Sequence, residues 1–188
     1  MLSRPLGDGA ELRPLEPWRA AEFAAAIERD RAHLAPWLPW AVTIVDADGA
    51  RTWLQGYADK LAADAGQVLG IWLDGVLVGG TVFRTFDADR GTCEIGVWLS
   101  PRAGGRGLVT RACRVMIDWA FRVRGMSRVE WRAVTSNERS LATAERLGME
   151  REGVLRAAVP VGGGRQDLEV WAVVTGRAPG AGPPPAGR

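Results

Sequence analysis

The chain has 188 residues, of which 47% are hydrophobic and 24% are charged, with a formal net charge of +2. These values are typical of a soluble globular protein that is large enough to bury one core. The basic residues are scattered, and no block of five or six like charges indicates binding to nucleic acid or to a membrane surface.

Two cysteines, Cys93 and Cys113, and one histidine, His33, offer little for a metal site. The cysteines lack CxxC spacing and one histidine is too few for a familiar zinc set, so we predict buried free thiols and no metal. The first fifteen residues lack the apolar segment of a signal peptide, and no run reaches transmembrane length. The sequence therefore predicts a cytoplasmic protein.

The first third of the chain predicts one strand and two helices. Residues 10–15 favour a strand, and residues 18–29 carry apolar side chains on a helical period. Asp46 or Asp48 can cap the second helix. A proline-broken segment, "RDRAHLAPWLPWAV", separates the two helices.

The middle of the chain changes to the period of β-strands. Two β-rich runs flank Asp74-Gly75, a dipeptide favoured in tight hairpin turns, and "RGTCEIGVWLS" predicts a third consecutive strand. A helix is predicted from Gly105 to Arg124, because its apolar residues recur every three to four positions.

The last third predicts a strand, a helix and a hairpin. "SRVEWRAVT" reads as a strand, and the following helix can be capped by Asn137 and ended by Gly148. "MEREGVLRAAVPV" and "DLEVWAVVT" form the hairpin. We predict an α/β fold in one domain over residues 1–175, and disorder for the Gly- and Pro-rich residues 176–188.

Three glycines, Gly104, Gly105 and Gly107, stand at the start of the predicted long helix. Glycines let backbone N–H groups approach a ligand, and a helix N-terminus adds its positive end, so the loop predicts a phosphate or pyrophosphate site. The lysine of a Walker A motif and the third glycine of a GxGxxG motif are both missing. What remains is Arg102-x-x-Gly105-x-Gly107 after a strand, and a tight turn without a ligand is the alternative.

With this loop, the sequence resembles the GNAT superfamily of acyl-CoA N-acyltransferases, and within it the RimJ/RimL branch of ribosomal-protein N-terminal acetyltransferases. Four segments carry the resemblance in order: "HLAPWLPW", "EIGVWLSPRAGGRGLVTRACRVMIDWAF", "NERSLATAERLGMEREGVLR" and "DLEVWAV". They extend over roughly residues 10 to 175. The resemblance implies a mixed, mostly antiparallel sheet of about seven strands, splayed in the middle and flanked by about four helices.

The resemblance also implies acetyl-CoA, or another acyl-CoA, as co-substrate. Its pyrophosphate would bind the glycine loop, and its pantetheine arm would lie between the strand with Glu94 and the strand 129–134. The mid-strand Gly96 is consistent with a bulge or a close approach there, and a backbone N–H of Val97 or Trp98 would be the oxyanion donor. The residues implied in cofactor binding are Val97, Trp98, Leu99, Arg102, Ala103, Gly104, Gly105, Arg106, Gly107, Leu108, Val109, Thr110 and Asn137.

Two residues are candidates for catalysis by this resemblance. Ser140 matches the serine that protonates the CoA thiolate in RimL-like enzymes, and Glu94 is the candidate general base. The structural alternatives are a first-turn helix serine and a glutamate bonded near the sheet. A second glutamate of some RimL-like enzymes has no counterpart, because Val159 or Pro160 stands in its place. An α-amine, with a pKa near 8 against about 10.4 for lysine, needs only a weak base, which favours a protein N-terminus as acceptor.

The function implied is direct acetyl transfer from acetyl-CoA to a primary amine, without a covalent enzyme intermediate. His33, Trp37 and Trp40 would line the acceptor pocket; a solvated or capping histidine and core tryptophans are the alternatives. For Trp53, core packing and a pocket wall both stay open. A small-molecule or antibiotic amine acetyltransferase, a succinyl-CoA-type acyltransferase and a non-catalytic acyl-CoA sensor all stay open. We predict no nucleic-acid or membrane partner. Related proteins often form dimers, and nothing in the sequence requires one.

Overall fold

A computed structural model describes residues 3–161 and 164–175, so the tail predicted to be disordered, 176–188, lies outside the described residues. The strands are β1 Arg4–Gly7, β2 Ala10–Pro14, β3 Gln67–Leu73, β4 Val76–Asp87, β5 Thr92–Leu99, β6 Arg128–Val134, β7 Glu150–Val161 and β8 Gly164–Val174. The helices are α1 Ala20–Leu34, α2 Trp40–Thr43, α3 Ala47–Ala62, α4 Leu108–Arg122 and α5 Glu138–Arg146. Among them, no helix has both the length and the apolar character needed to cross a membrane.

The eight strands form one sheet in the order β1-β2-β3-β4-β5-β6-β8-β7. Neighbouring strands are antiparallel except β5 and β6, which are parallel and are connected through α4. The last strand, β8, lies between β6 and β7. The predicted mixed, mostly antiparallel sheet is therefore confirmed.

Helices cover both faces of the sheet and produce two cores. On one face, α4 and α5 pack over strand residues that include Ile95 and Trp131, and Met116 of α4 belongs to the same core. On the other face, α1, α2 and α3 pack over residues that include Trp72 and Trp98. Since strand side chains alternate between faces, Glu94, Gly96 and Trp98 lie on the face covered by α1 to α3.

Both cysteines are buried and free, as predicted. Burial raises the pKa of Cys93 to about 12, and complete burial also raises the pKa of Cys113. Since only the thiolate is a good nucleophile, both side chains are inert at neutral pH.

The sequence prediction missed β1, which pairs with β2 through a turn at Gly7, Asp8 and Gly9. All three turn residues have positive φ angles, of 84°, 52° and 73°. The prediction also started the long helix too early. Gly105 and Gly107 have φ angles of 77° and 68°, which a right-handed helix does not accept, so α4 begins at Leu108.

The boundaries near the N-terminus also differ from the prediction. The first helix extends to Leu34 rather than to Arg29, and the short helix α2 forms within the proline-broken segment. Asp46 is the residue that caps α3, where its carboxylate accepts a hydrogen bond of 2.8 Å from the Gly49 N–H. The predicted end at Gly148 is confirmed, with a φ of 75° directly after the last turn of α5.

Candidate active site

The sheet opens between β5 and β6 partway along their length. The two strands pair only where Thr92–Ile95 faces Arg128–Trp131. Beyond this point β5 continues beside β4, and β6 continues beside β8. Among the described strands, residues 96–99 therefore have a partner on one side only, and their other backbone edge faces a gap. The predicted splay is confirmed.

The glycine-rich loop leads from the open end of β5 into α4. It passes through a 3-10 turn at Pro101–Ala103 and then through Gly105 and Gly107. A Cβ atom added to either glycine would meet no atom within 4 Å, so the space above both is open. Gly107 is the N-cap residue of α4, and because it has no side chain it cannot accept a hydrogen bond from the first-turn N–H groups. These N–H groups can therefore donate to a bound anion. The loop fits a phosphate-bearing ligand.

The residues predicted to bind the cofactor fall into three sets, which are exposed, buried and partly buried. The exposed residues are Arg102, Gly104, Gly105, Arg106 and Gly107. The buried residues are Trp98, Ala103 and Leu108, whose side chains belong to the two cores. Val97, Leu99, Val109, Thr110 and Asn137 are partly buried. These buried residues can therefore offer the cofactor only their main-chain groups.

Arg111 holds the glycine loop from behind, and the sequence prediction missed this contact. Its Nη1 lies 2.7 Å from Oδ2 of Asp8, and its Nη2 donates to the carbonyl oxygen of Arg106 at 3.1 Å. Because the peptide unit is planar and trans, holding that carbonyl turns the N–H of Gly107 to the opposite side. The dipeptide Asp8-Gly9 is a sequence signal for the turn alone, and nothing in the sequence indicated its contact with Arg111.

Ser140 is placed by two hydrogen bonds near the closed end of the gap. Asn137 caps α5, and its Oδ1 accepts from the Ser140 N–H at 3.1 Å. The indole N–H of Trp131, on the last residue of β6 that pairs with β5, donates to Ser140 Oγ at 3.0 Å. An indole nitrogen can only donate, so the Ser140 oxygen is the acceptor and its own proton is directed elsewhere.

Glu94 lies on the α1 to α3 face of the sheet between two arginines. Its Oε1 is 2.9 Å from Nε of Arg84, and its Oε2 is 3.7 Å from Nε of Arg132. Burial raises the pKa of the Glu94 carboxyl, and this effect outweighs the lowering by the two guanidinium groups. The side chain is 13% exposed. Glu94 is thus a partly buried carboxylate with a raised affinity for a proton.

An aromatic cavity of about 130 Å³ lies on the same face. Its lining residues are Leu38, Trp40, Trp53, Tyr57, Val82, Arg84, Gly96, Val97 and Trp98. Of the three predicted acceptor residues, the structure places only Trp40 in this wall. His33 lies in the last turn of α1, and Trp37 is 40% exposed after it. A wider depression of about 390 Å³ is lined by α3 alone and includes none of the predicted site residues.

Tyr57 and Arg84 are further residues of this cavity that the sequence prediction did not assign to the site, and Trp53, for which the sequence left core packing and a pocket wall open, also lines it. Trp53 and Tyr57 showed a helical apolar spacing, which equally fits core residues. Arg84 lies at a β-bulge of β4, between Phe83 and Thr85, where strand alternation is interrupted. No sequence signal distinguished it from the other exposed arginines.

The family profile described as an acetyltransferase (GNAT) domain matches residues 10–150. The chain therefore belongs to the GNAT acetyltransferase family, and it is an N-acetyltransferase. A curated relative, the putative ribosomal N-acetyltransferase YdaF of Bacillus subtilis (strain 168), is 31% identical over 179 residues, which are 93% of this chain and 96% of the relative.

Solved structures agree with this assignment. A crystal structure of a probable acetyltransferase has a TM-score of 0.84 and 30% identity, with 93% of this chain and 98% of the other covered. The ribosomal L7/L12 α-N-protein acetyltransferase RimL, solved in complex with coenzyme A, has a TM-score of 0.85 at 20% identity, with 90% and 96% covered. At that identity the likeness is one of fold.

Proposed function

We propose that this N-acetyltransferase transfers an acetyl group from acetyl-CoA to the α-amine of a peptide or protein N-terminus. The observation that carries the proposal is the gap between β5 and β6, which begins at Gly96 and ends beside the exposed loop with Gly105 and Gly107. A diphosphate at the loop and an extended amide-bearing arm along residues 96–99 would together span this path.

The loop residues would hold the diphosphate through main-chain N–H groups, with Arg111 keeping the N–H of Gly107 turned outward. The free edge of β5 would pair with the amides of the pantetheine arm, as an added strand does. An N–H of Val97 or Trp98 would then donate to the thioester oxygen and stabilise the negative charge that develops there. Asn137 would contribute by fixing the first turn of α5.

The acceptor nitrogen forms a bond to the thioester carbonyl carbon, and the carbon–sulfur bond breaks. Glu94 would take the proton that the nitrogen loses, because its raised pKa brings it closer to that of an amine. Ser140 would donate its hydroxyl proton to the departing thiolate and regain a proton from solvent, since the Trp131 N–H already donates to the serine oxygen. Neither buried cysteine takes part.

Two observations support an α-amine over a lysine side chain. A carboxylate such as Glu94 is a weak base towards an amine even with its raised pKa, and an α-amine is roughly a few hundredfold easier to deprotonate than a lysine amine. The relative YdaF is named a putative ribosomal N-acetyltransferase, and RimL is described as acting on the α-amine of L7/L12.

The test uses two matched glycine variants. Gly105→Glu puts a charged side chain into the proposed diphosphate site, and Gly125→Glu puts the same side chain beyond the far end of α4. Both glycines have positive φ angles, 77° and 64°, and neither added Cβ meets an atom within 4 Å. We expect calorimetric affinity for acetyl-CoA to fall at least about 100-fold for Gly105→Glu alone.

Activity is then measured as release of free CoA thiol with two peptides and with a panel of small primary amines. One has a free N-terminus and no lysine, and the other has a blocked N-terminus and one lysine. Turnover of the first peptide only supports the proposal. Turnover of the second peptide only, or of small amines only, would replace the acceptor class. Acetyl-CoA binding without turnover of any amine would indicate a sensor, and equal affinity of both glycine variants would remove the loop from the site.

A further inference from the structure

The aromatic cavity lies beside the gap between β5 and β6, because Gly96 and Val97 belong to both. We infer that the cavity binds the side chain of the acceptor's first residue, and that this side chain is apolar, uncharged and at most about the size of a benzene ring. The inference rests on the proposed function, because it concerns the acceptor of that same reaction.

The volume limits the occupant to a single side chain. Pockets for drug-sized ligands measure about 300–1,000 Å³, whereas a cavity of about 150 Å³ holds one benzene molecule. The cavity measures about 130 Å³, so it is close to the second case. Leucine, methionine, isoleucine and valine side chains fall within this limit, and an indole or a sugar ring does not.

The wall is aromatic, and Trp40, Trp53 and Tyr57 are only partly buried where they line the cavity. The ring centroids of Trp40 and Trp53 are 5.4 Å apart, and those of Trp53 and Tyr57 are 4.7 Å apart. Burial of an apolar side chain among such rings is favourable in proportion to the area removed from water. Glycine as the first residue would leave this surface without an occupant.

The one charged residue of the wall opposes a cationic occupant. Aromatic rings by themselves attract cations, whereas the Arg84 guanidinium repels them, and none of the lining residues carries a carboxylate that could pair with an ammonium group in the cavity. Its guanidinium lies against the strand: a Cβ added to Gly96 would be 3.3 Å from Arg84 Nη2. The carboxylate of Glu94 is already engaged by Arg84 and Arg132 and is not free to compensate a further positive charge. A first-residue lysine or arginine is therefore disfavoured.

The position of the cavity suits an α-amine better than an amine at the end of a long side chain. Gly96 and Val97 are at once part of its wall and the first residues of the unpaired part of β5. In an N-terminal residue, one carbon separates the amine from the side chain. A side chain in the cavity therefore keeps its own amine beside the gap, two residues along the same face from Glu94.

The experiment measures kcat/KM for peptides that differ only in the first residue, which is Leu, Met, Gly, Lys or Trp. We expect Leu and Met to exceed Gly, Lys and Trp by at least tenfold. Equal rates for all five peptides would overturn the inference while leaving N-terminal acetylation intact. Absence of turnover with every peptide would instead refute the proposed function.

Two variants test the wall, each through a ratio that cancels changes in the overall rate. Arg84→Gln should raise the Lys-to-Leu ratio at least fivefold, and Arg90→Gln, on an arginine whose side chain is 83% exposed, should not. Tyr57→Ala should enlarge the cavity and raise the Trp-to-Leu ratio, whereas Trp18→Ala, at a residue 70% exposed and outside the wall, should leave it unchanged. Unchanged ratios in Arg84→Gln and Tyr57→Ala would refute the assignment of this cavity.

Discussion

The contact of Arg111 behind the glycine loop gives the sharpest quantitative prediction. Arg111→Met keeps the aliphatic stem but removes the hydrogen bond to the Arg106 carbonyl and the ion pair with Asp8. A hydrogen bond to a charged group contributes about 1.5–3 kcal/mol, and a surface ion pair about 0–1 kcal/mol. Because the Arg111 side chain is 32% exposed and water can replace part of the contact, we expect about 1–1.5 kcal/mol in affinity.

That free energy corresponds to a rise of about 5–10-fold in the KM for acetyl-CoA. The kcat and the KM for the acceptor should stay within about twofold, because the contact orients a binding N–H and touches no reacting atom. Initial-rate kinetics with each substrate varied in turn provide the measurement. Arg122→Met, at the exposed far end of α4, is the control. A fall in kcat at constant KM, or the same KM rise in the control, would refute the reasoning.

Three further predictions concern single contacts. Ser140→Ala should lower kcat with little change in affinity for acetyl-CoA, and a full-rate variant would mean that water protonates the thiolate. Trp131→Phe should lower kcat less than Ser140→Ala does, because the Ser140 hydroxyl remains but no longer accepts the indole N–H that orients it. In the wild-type enzyme, the slope of log kcat/KM against pH should be about 1 above the raised pKa of Glu94, where only the amine must lose a proton. Below that pKa the slope should rise to about 2, because Glu94 must then lose a proton as well. Glu94→Gln should keep a slope of about 1 throughout. Asp46→Ala should cost about 1 kcal/mol in the free energy of unfolding measured with urea, with activity unchanged.

The sequence predicted the parts of this protein that depend on local pattern. The strand period, the Asp74-Gly75 turn and the Asn137 cap are all local, and the splayed sheet came with the family resemblance. The Arg111 contact was not predictable, because Asp8 and Arg111 are 103 residues apart and meet only once β1 lies beside α4. An arginine on a helix surface has no pattern that distinguishes this role.

The sequence also could not show which tryptophans line the aromatic cavity. The chain has nine tryptophans, and helical or strand spacing indicates only that each faces inward or outward. Trp40 lines the cavity and Trp37 does not, because the turn after α1 and the short helix α2 rotate them to different sides. This rotation depends on tertiary packing around two prolines and is not visible in the spacing.

The position of β8 has a consequence for how this chain folds during synthesis. β8 is an interior strand: it is the second neighbour of β6 along residues 128–131 and, within the described part of the chain, its single strand neighbour along residues 132–134. Until residues 164–174 have left the ribosome, the backbone N–H and C=O groups on one edge of β6 have no strand partner, and the sheet is incomplete. A nascent chain halted before this point would be prone to aggregation, so the quality of the finished enzyme depends on rapid completion of its last strand.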